Sequence, residues 1–437
     1  MQEPMELLEL PGISLDYFLR GLAGEAYQDN AVFQELYSWY LQSPEYRILV
    51  KNLTEASFSE RPSDKIGKTV AKILYGEISP YSATRLERFA ACAFAHFLQY
   101  GLKVTERAEY EFRAMDMGNV MHMALEKFAA EVRKEGLDWA ELTEEERNRI
   151  IDSCLDQVSA DYGNTILKSS ARNEYMIERT RRILRRTVWA LQEQLKHGAF
   201  RPEGFEVRFQ GGRIDRVDIM EEPENNRVYV KVIDYKTGNT SFDLLALYHG
   251  LQLQLMVYLD GALQVEKRKY PDREIVPAGV FYYNVKDPMI QEKIHADMES
   301  INEQMLKKMK MNGLVQADDN MSTKIDSTMA SIPVSLNRDG SFSKRSSVAS
   351  RKQFDALGAY VRRKICDIRE SILDGNAAVE PYELGKKNAC TYCPYLTVCG
   401  FDRKIPGYEF HRLSSIEEDA LWKKIMKGEE ENGSEMD

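Results

Sequence analysis

The feature that most limits the fold is a change of hydrophobic period near Pro202. Before it, apolar residues recur every three or four positions; after it they recur every second. Phe205, Val207 and Phe209 alternate with Glu206, Arg208 and Gln210; Ile214, Val217 and Ile219 form a second run, and Val228, Val230, Val232 and Ile233 a third. The turn cluster EEPENN, Glu221 to Asn226, joins the last two runs as a hairpin. Helix is expected again over Leu244 to Leu263, and an apolar strand over Gly279 to Val285 (GVFYYNV). The order helix, strand, strand, strand, helix, strand predicts an α/β domain, a mixed sheet flanked by helices.

Around this core the chain divides by composition. Residues 1–78 read as a helical lead-in, with Leu15, Phe18, Leu19, Leu22 and then Phe33, Leu36, Tyr37, Tyr40 at helical spacing. Residues 79–403 form the main domain. In it, Ser82 to Gly101 is expected to be one helix containing Cys92, a second helix starts after Gly118 with His122 in its first turns, and a third runs from Glu174 to His197. Residues 312–350 are polar and Gly-containing and read as an irregular insertion with one short strand candidate, Ile332 to Leu336; helix resumes over Arg351 to Leu373. Residues 404–437 are an acidic tail expected to fray, with eight acids against three lysines from Ile416 onward.

The chain has 437 residues, 43% hydrophobic and 29% charged, the balance of a globular protein. No apolar run approaches the ~18 residues of a membrane span, and Met1 to Pro11 carries three glutamates and no basic residue, unlike a signal peptide. The expectation is a cytoplasmic protein without membrane contact. A net charge of -10 argues against a generally basic nucleic-acid surface. One segment departs from it: Arg172 to Lys196 carries seven basic residues against three glutamates, with Arg179, Arg182 and Arg186 on one helical face. That face is either a phosphate-tracking surface or a solvated docking surface. PSDKIGKT, Pro62 to Thr69, lacks the first glycine and the preceding strand of a phosphate-binding loop and reads as a turn before a helix, so ATP hydrolysis is not expected.

Chemistry concentrates on two strands, GRIDRVD (Gly212 to Asp218) and VIDYKTG (Val232 to Gly238). Strand alternation puts Asp234 and Lys236 on one face and turns Tyr235 away, leaving its carbonyl there. Asp215 on the paired strand can meet them. Two carboxylates and a carbonyl are hard ligands suited to Mg2+, and a lysine beside them can orient or deprotonate a water and offset charge on phosphorus. The minimum equipment for phosphodiester hydrolysis is present. The competing reading is ion pairing with Arg213, Arg216 or Lys236 on a solvated sheet face. Separately, Cys390, Cys393 and Cys399 have the spacing CxxCx5C, and joining Cys92 to them would bring the two ends of the domain together. Four thiolates suit zinc or an iron–sulfur cluster. Cys154 and Cys366 lack partners at ligand spacing and read as buried thiols.

GNVMHMALE (Gly118 to Glu126), GRIDRVD, VIDYKTG and GLQLQLMVY (Gly250 to Tyr258) resemble the successive motifs of the RecB-type nucleases of the PD-(D/E)XK superfamily. SATRLERFAAC (Ser82 to Cys92) and CTYCPYLTVC (Cys390 to Cys399) narrow the resemblance to the iron–sulfur-bearing branch, nearest the B subunits of AddAB helicase–nucleases. It spans Leu74 to Asp402, in a family whose members carry helicase-like domains before this region. The resemblance implies a restriction-endonuclease-like fold with an iron–sulfur staple. It implies Mg2+, with Mn2+ as a substitute, held by His122, Asp215, Asp234 and the Tyr235 carbonyl. Lys236 would be the catalytic lysine, Gln254 and Tyr258 the QxxxY element, and Glu206 either support behind the ligands or a surface acid. Cys92, Cys390, Cys393 and Cys399 would hold a [4Fe-4S] cluster, although Ala93 stands where the family commonly has proline. The implied activity is 5'→3' deoxyribonuclease action on a single strand from unwound duplex, for double-strand-break repair, in a heterodimer with a helicase–nuclease A subunit. The alternatives are a non-catalytic DNA-binding scaffold and a freestanding CRISPR-associated-type single-strand exonuclease.

Overall fold

The computed structural model describes residues 11–22, 31–57, 65–76, 82–107, 114–162, 170–290, 297–318, 320–405 and 407–433. Its first helices are α1 (Pro11–Leu22), α2 (Ala31–Gln42) and α3 (Arg47–Ser57). Their apolar stripes meet in a small core of Phe18, Tyr40 and Val50, where Phe18 stacks on Phe33 and Tyr37 at 5.0 and 5.6 Å. This unit, Met1–Ser63 with Asp402–Tyr408, is separate from Asp64–Phe401 with Glu409–Asp437, which holds all that follows.

The larger unit begins with α4 (Lys68–Tyr75), α5 (Ala83–Ala91), α6 (Ala93–His96), a π-turn at Phe97–Gly101, α7 (Ala114–Lys134), α8 (Glu144–Asp161) and α9 (Ala171–Lys196). Polar caps fix three of these starts: Ser82 before α5, a Thr143–Glu146 capping box before α8 and Ser170 before α9. The alternating segment then gives β1 (Arg201–Phe209), β2 (Gly212–Glu222) and β3 (Arg227–Lys236), all antiparallel neighbours. Through α10 (Leu244–Tyr248) and α11 (Gln254–Lys269) the chain crosses to β4 (Glu274–Asn284), parallel to β3. After α12 (Met298–Lys308) come β5 (Asn312–Gln316), α13 (Met321–Ile325), β6 (Val348–Ala349) and α14 (Arg351–Leu373). The six strands lie in the order β1-β2-β3-β4-β5-β6. A second small sheet joins β7 (Tyr382–Leu384) to β8 (Lys387–Asn388) and β9 (His411–Arg412), with α15 (Leu396–Cys399) between the last two and α16 (Glu418–Gly433) at the end.

Helices cover both faces of the main sheet. On one, Leu125 and Phe128 of α7, Ile151 of α8 and Leu184 and Val188 of α9 pack on Tyr229, Ile233 and Phe281. On the other, Leu86, Leu255, Leu259, Leu357 and Trp422 pack on Val217, Val230, Val232 and Val280. Strands buried on both faces, each large side chain stabilising by ~1.5–3 kcal/mol, fix β3 and β4 rigidly at the centre. The expected mixed sheet flanked by helices is the observed architecture.

Local expectations are corrected at several points. Cys92 is not inside a helix: its backbone is extended (φ -168°, ψ 115°), breaking α5 from α6, and the freed Phe94 N–H bonds Ala378 O at 3.0 Å. The helix beginning before His122 starts at Ala114, so His122 sits in its third turn. The expected helix over 244–263 is interrupted at Gly250, whose φ of 80° only glycine adopts readily, and restarts at Gln254. The 312–350 segment is not an irregular insertion throughout, because β5 pairs with β4 and β6 with β5. Its polar ends and Gly313 hide the strand pattern, yet a Cβ at Gly313 would fall 1.9 Å from the Val280 carbonyl oxygen, so glycine permits the pairing. Ile332 to Leu336 forms no strand beyond one bridge, Leu336 to Phe342. The acidic tail holds α16, whose Leu421, Trp422 and Ile425 are buried while Glu418 and Asp419 stay exposed. Residues 434–437, and 62–64 of PSDKIGKT, lie outside the described residues. The helix over Arg351–Leu373 begins and ends as expected.

Candidate active site and cysteine cluster

β3 ends at the residues that matter most. Lys236 Nζ lies 2.6 Å from Asp234 Oδ2 and donates to Gln254 Oε1 at 2.8 Å. The Gln254 amide donates in turn to Asp234 Oδ1 and to the Tyr258 oxygen, both at 2.9 Å. Gln254 is the first residue of α11 and Tyr258 is one turn on, so a single helix start brings both to the strand end. Tyr235 points into the opposite core, and its backbone N–H donates to Asp215 Oδ2 at 2.7 Å. Asp215 thus reaches β3 through the backbone between Asp234 and Lys236, whose side chains it does not bond.

A second group meets at Asp215. His122 on α7 places Nδ1 3.4 Å from Asp215 Oδ2. Glu206 falls opposite Asp215, between the pairs Phe205–Arg216 and Val207–Ile214. Its φ of 50° is left-handed, a conformation that costs a non-glycine residue ~1–3 kcal/mol and concentrates at functional sites. One ligand atom each from His122, Glu206 and Asp215 lie within 4.8 Å of one another. Arg213 pairs with Glu206 at the rim. Asp234 precedes Tyr235, whose N–H bonds Asp215; its Oδ1 accepts from Gln254, while its Oδ2, 2.6 Å from Lys236 Nζ, makes no hydrogen bond among the described residues. The three side chains that converge are His122, Glu206 and Asp215. Glu206 had one sequence signal, its register opposite Asp215 in the hairpin.

The charge balance favours a cation. Burial and the neighbouring Asp215 charge push Asp234 up to about 7 and Glu206 up to about 7. For His122 burial opposes protonation, but the bond to Asp215 and the charges of Asp215, Asp234 and Glu206 outweigh it and raise the imidazole. Carboxylates crowded enough to resist ionisation are relieved by a divalent ion, and two carboxylates with an imidazole fit Mg2+ or, better for nitrogen, Mn2+.

Sequence reasoning missed Glu87. Its Oε1 accepts from the backbone N–H groups of Leu253 and Gln254 at 2.6 and 2.9 Å, capping the start of α11 where Gln254 sits. Burial lifts its carboxyl to about 7 against those two bonds. In sequence it was one polar residue of SATRLERFAAC, 167 positions from Gln254, with nothing to link the two.

Beyond the end of α5 the four cysteines meet. Cys92, Cys390, Cys393 and Cys399 line one small cavity walled by Phe94, Ala95, Tyr395 and Leu396. Tyr395 donates to Val104 O at 2.9 Å across the ends of the domain. Burial and the other thiols push Cys390 up to about 11. Cys154 is buried as expected; Cys366 is exposed, which corrects its reading as a buried thiol, because its position on α14 faces away from the core. On α9, Arg181 and Arg185 are paired with Asp152 and Asp156. Arg182 and Arg186 border a cavity, and Arg179 is exposed outside it. No helix among the described residues is long and apolar enough to cross a membrane.

A family model described as the PD-(D/E)XK nuclease superfamily matches residues 80–400. The chain is similar to a protein of Lachnoclostridium phytofermentans named as the B subunit of an ATP-dependent helicase/deoxyribonuclease, 39% identical over 438 residues, 95% of this chain and 38% of that protein. The proteins of the same name in Alkaliphilus metalliredigens and Thermoanaerobacter sp. are 35% and 33% identical over 90% and 93% of this chain. The chain spans just over a third of the length of these relatives, 36–38%.

Proposed function

The chain belongs to the PD-(D/E)XK nuclease superfamily, and from that premise we propose that it is the metal-dependent deoxyribonuclease part of a helicase–nuclease. The observation that carries this reading is the Asp234–Lys236–Gln254 set beside the convergent His122, Glu206 and Asp215. His122 Nδ1 and the carboxylates of Glu206 and Asp215 would hold Mg2+ or Mn2+, with Asp234 and the Tyr235 carbonyl at its edge. When bound, the ion supplies Lewis acidity and a water of lowered pKa. Lys236, held by Asp234 and Gln254, orients the attacking water and offsets negative charge as it grows on the phosphate oxygens. Tyr258 fixes Gln254 from the other side, so the lysine has little freedom to drift.

The substrate in this reading is a single DNA strand delivered by a motor, with Arg179, Arg182 and Arg186 as phosphate contacts. The family resemblance supplies cleavage of the 5'-ended strand, a heterodimer with an A subunit, and a role in processing double-strand breaks in the cytoplasm. Cys92, Cys390, Cys393 and Cys399 would hold a [4Fe-4S] cluster. The convergence of all four cysteines on one cavity supports a bound metal centre there, and the family resemblance favours the cluster over one zinc ion. Mg2+-dependent digestion of labelled single-stranded DNA tests the activity; His122→Ala should need more metal and recover partly with Mn2+. An unchanged apparent metal affinity in His122→Ala would remove His122 from the ligand set. Iron and sulfide content after anaerobic purification tests the cluster, and zinc without iron would refute it.

A further inference from the structure

On α9, Arg181, Arg185 and Lys196 pair with carboxylates, whereas Arg182 and Arg186 turn to a cavity. This cavity, of about 430 Å3 between α8 and α9, is lined by Arg147, Arg182, Arg185, Arg186, Trp189 and Asp287, among others. Arg147 is only 7% exposed. Its Nη1 donates to the neutral Gln192 amide at 2.5 Å, and its Nε has no hydrogen-bond partner among the described residues. No described carboxylate lies within ion-pair distance of Arg147, Arg182 or Arg186. Glu144 and Asp287 border the cavity, yet neither pairs with a guanidinium there. Arg186 lies 5.5 Å from the Trp189 ring centroid, and Trp189 is half-buried and lines the cavity.

A buried guanidinium without a carboxylate is costly unless an anion completes it. Guanidinium forks match phosphate oxygens, and an indole beside them is a stacking surface for a base. Asp287 lies two residues beyond Val285, whose N–H bonds the Lys236 carbonyl at 2.7 Å. One lining residue of the cavity, Asp287, thus follows closely on the strand end at which Lys236 emerges, while α8 and α9 cover the sheet face opposite α11.

We propose that Arg147, Arg182 and Arg186 seat a backbone phosphate of the single DNA strand, with Trp189 stacking an adjacent base, as a holding subsite separate from the cleavage centre. This rests on the nuclease reading and adds to it a defined phosphate pocket centred on Arg147. The test is binding of fluorescein-labelled dT20 in EDTA, where no cleavage occurs, across a salt series. Arg182→Gln/Arg186→Gln, at partly exposed positions, should fold as judged by circular dichroism, bind about tenfold more weakly and lower the salt slope by about one. Arg147→Gln should do the same where it folds. The oligonucleotide should quench tryptophan emission, and Trp189→Phe should remove that quenching. Unchanged affinity and salt slope in the double variant would overturn the pocket. So would polyglutamate displacing dT20 at equal charge concentration, which would mark the pocket as a seat for an acidic protein segment. Failure of the nuclease reading shows separately, as wild-type protein that binds dT20 yet does not digest it with Mg2+ or Mn2+.

Discussion

Strands β2 and β3 carry two buried charge groups on opposite faces, and they are built on opposite plans. Under α7 to α9, Asp218 accepts from Arg216 at 2.6 and 2.9 Å and lies 2.9 Å from Lys231. The Arg216 guanidinium lies over Trp139 and Phe205 at 5.5 and 5.7 Å. All three are buried, and two cations close on one carboxylate. On the α11 side the balance reverses: Glu87, Glu206, Asp215 and Asp234 gather around Lys236, Arg213 and His122. For Asp218 burial opposes ionisation, but Arg216 and Lys231 outweigh it and hold the carboxyl below its usual range. For Glu206 and Asp234 burial and Asp215 act together and lift both to about 7. A carboxylate already answered by cations fixes the sheet; carboxylates in excess leave room for a metal.

The sharpest break of this comparison is between activity and stability. Asp234→Asn or Lys236→Ala should lower DNA cleavage by about 10^3-fold; Asp234→Asn should leave the denaturation midpoint unchanged or raised, since it removes one of the crowded carboxylates, whereas Lys236→Ala removes their cation and should lower it. Asp218→Asn should do the reverse. Leaving Arg216 and Lys231 buried without their carboxylate costs ~3–5 kcal/mol, read by urea unfolding, with cleavage per folded molecule retained. An active Asp234→Asn protein, or a fully stable Asp218→Asn protein, would erase the distinction.

Proton linkage separates the two groups with a smaller effect. A carboxyl lifted from 4.5 to about 7 binds its proton more tightly in the fold than in the unfolded chain. Its contribution is then present below pH 4.5 and lost as pH rises through 7, with a slope of at most about 1.4 kcal/mol per pH unit. Asp218 has the opposite sign: its contribution is present above its unfolded value of 3.8 and is lost as pH falls. His96, lowered to about 3 by burial and Arg85, adds stability as pH rises through 6.5 and would mask the first effect in a raw profile. The difference between Glu206→Gln and wild type in EDTA isolates it. The variant should gain more at pH 8 than at pH 5, and saturating Mg2+ should abolish the gain. A difference constant from pH 5 to 8 would mean that Glu206 does not titrate in this window.

What the sequence made legible follows the reach of its signals. Period-two alternation exposed β1 to β3 and placed Asp234 and Lys236 on one face, because strand geometry is a two-residue rule. The four cysteines were legible through CxxCx5C and the SATRLERFAAC segment. Asp218 was hidden in GRIDRVD, where Asp215 and Asp218 look alike and only the packing of Arg216 and Lys231 tells them apart. β5 was hidden by glycine and polar ends, and the break at Cys92 by an unbroken helical stripe, since each depends on a partner far along the chain. Arg147 gave no signal, because an arginine among the acids of α8 becomes unusual only when it is buried without an ion pair to any of them.

Glu87 supplies the smallest and most discriminating prediction. It touches neither Asp234 nor Lys236 but caps the two N–H groups that begin α11, and so sets where the Gln254 amide reaches Lys236 and Asp234. As a positioning residue it needs an acceptor oxygen and no charge. Glu87→Gln keeps that oxygen and should cleave DNA within about twofold of wild type, whereas Glu87→Ala should lower kcat about tenfold with KM nearly unchanged, about 1.4 kcal/mol of transition-state stabilisation. Gln254→Ala should cost a similar factor, and the double variant Glu87→Ala/Gln254→Ala should be no slower than the worse single one, because the cap acts only through the amide it aims. Additive losses would mean that Glu87 acts on Lys236 through its charge instead. In that case Glu87→Gln would fall with Glu87→Ala, and the comparison between the two faces would lose one of its four carboxylates to the catalytic lysine.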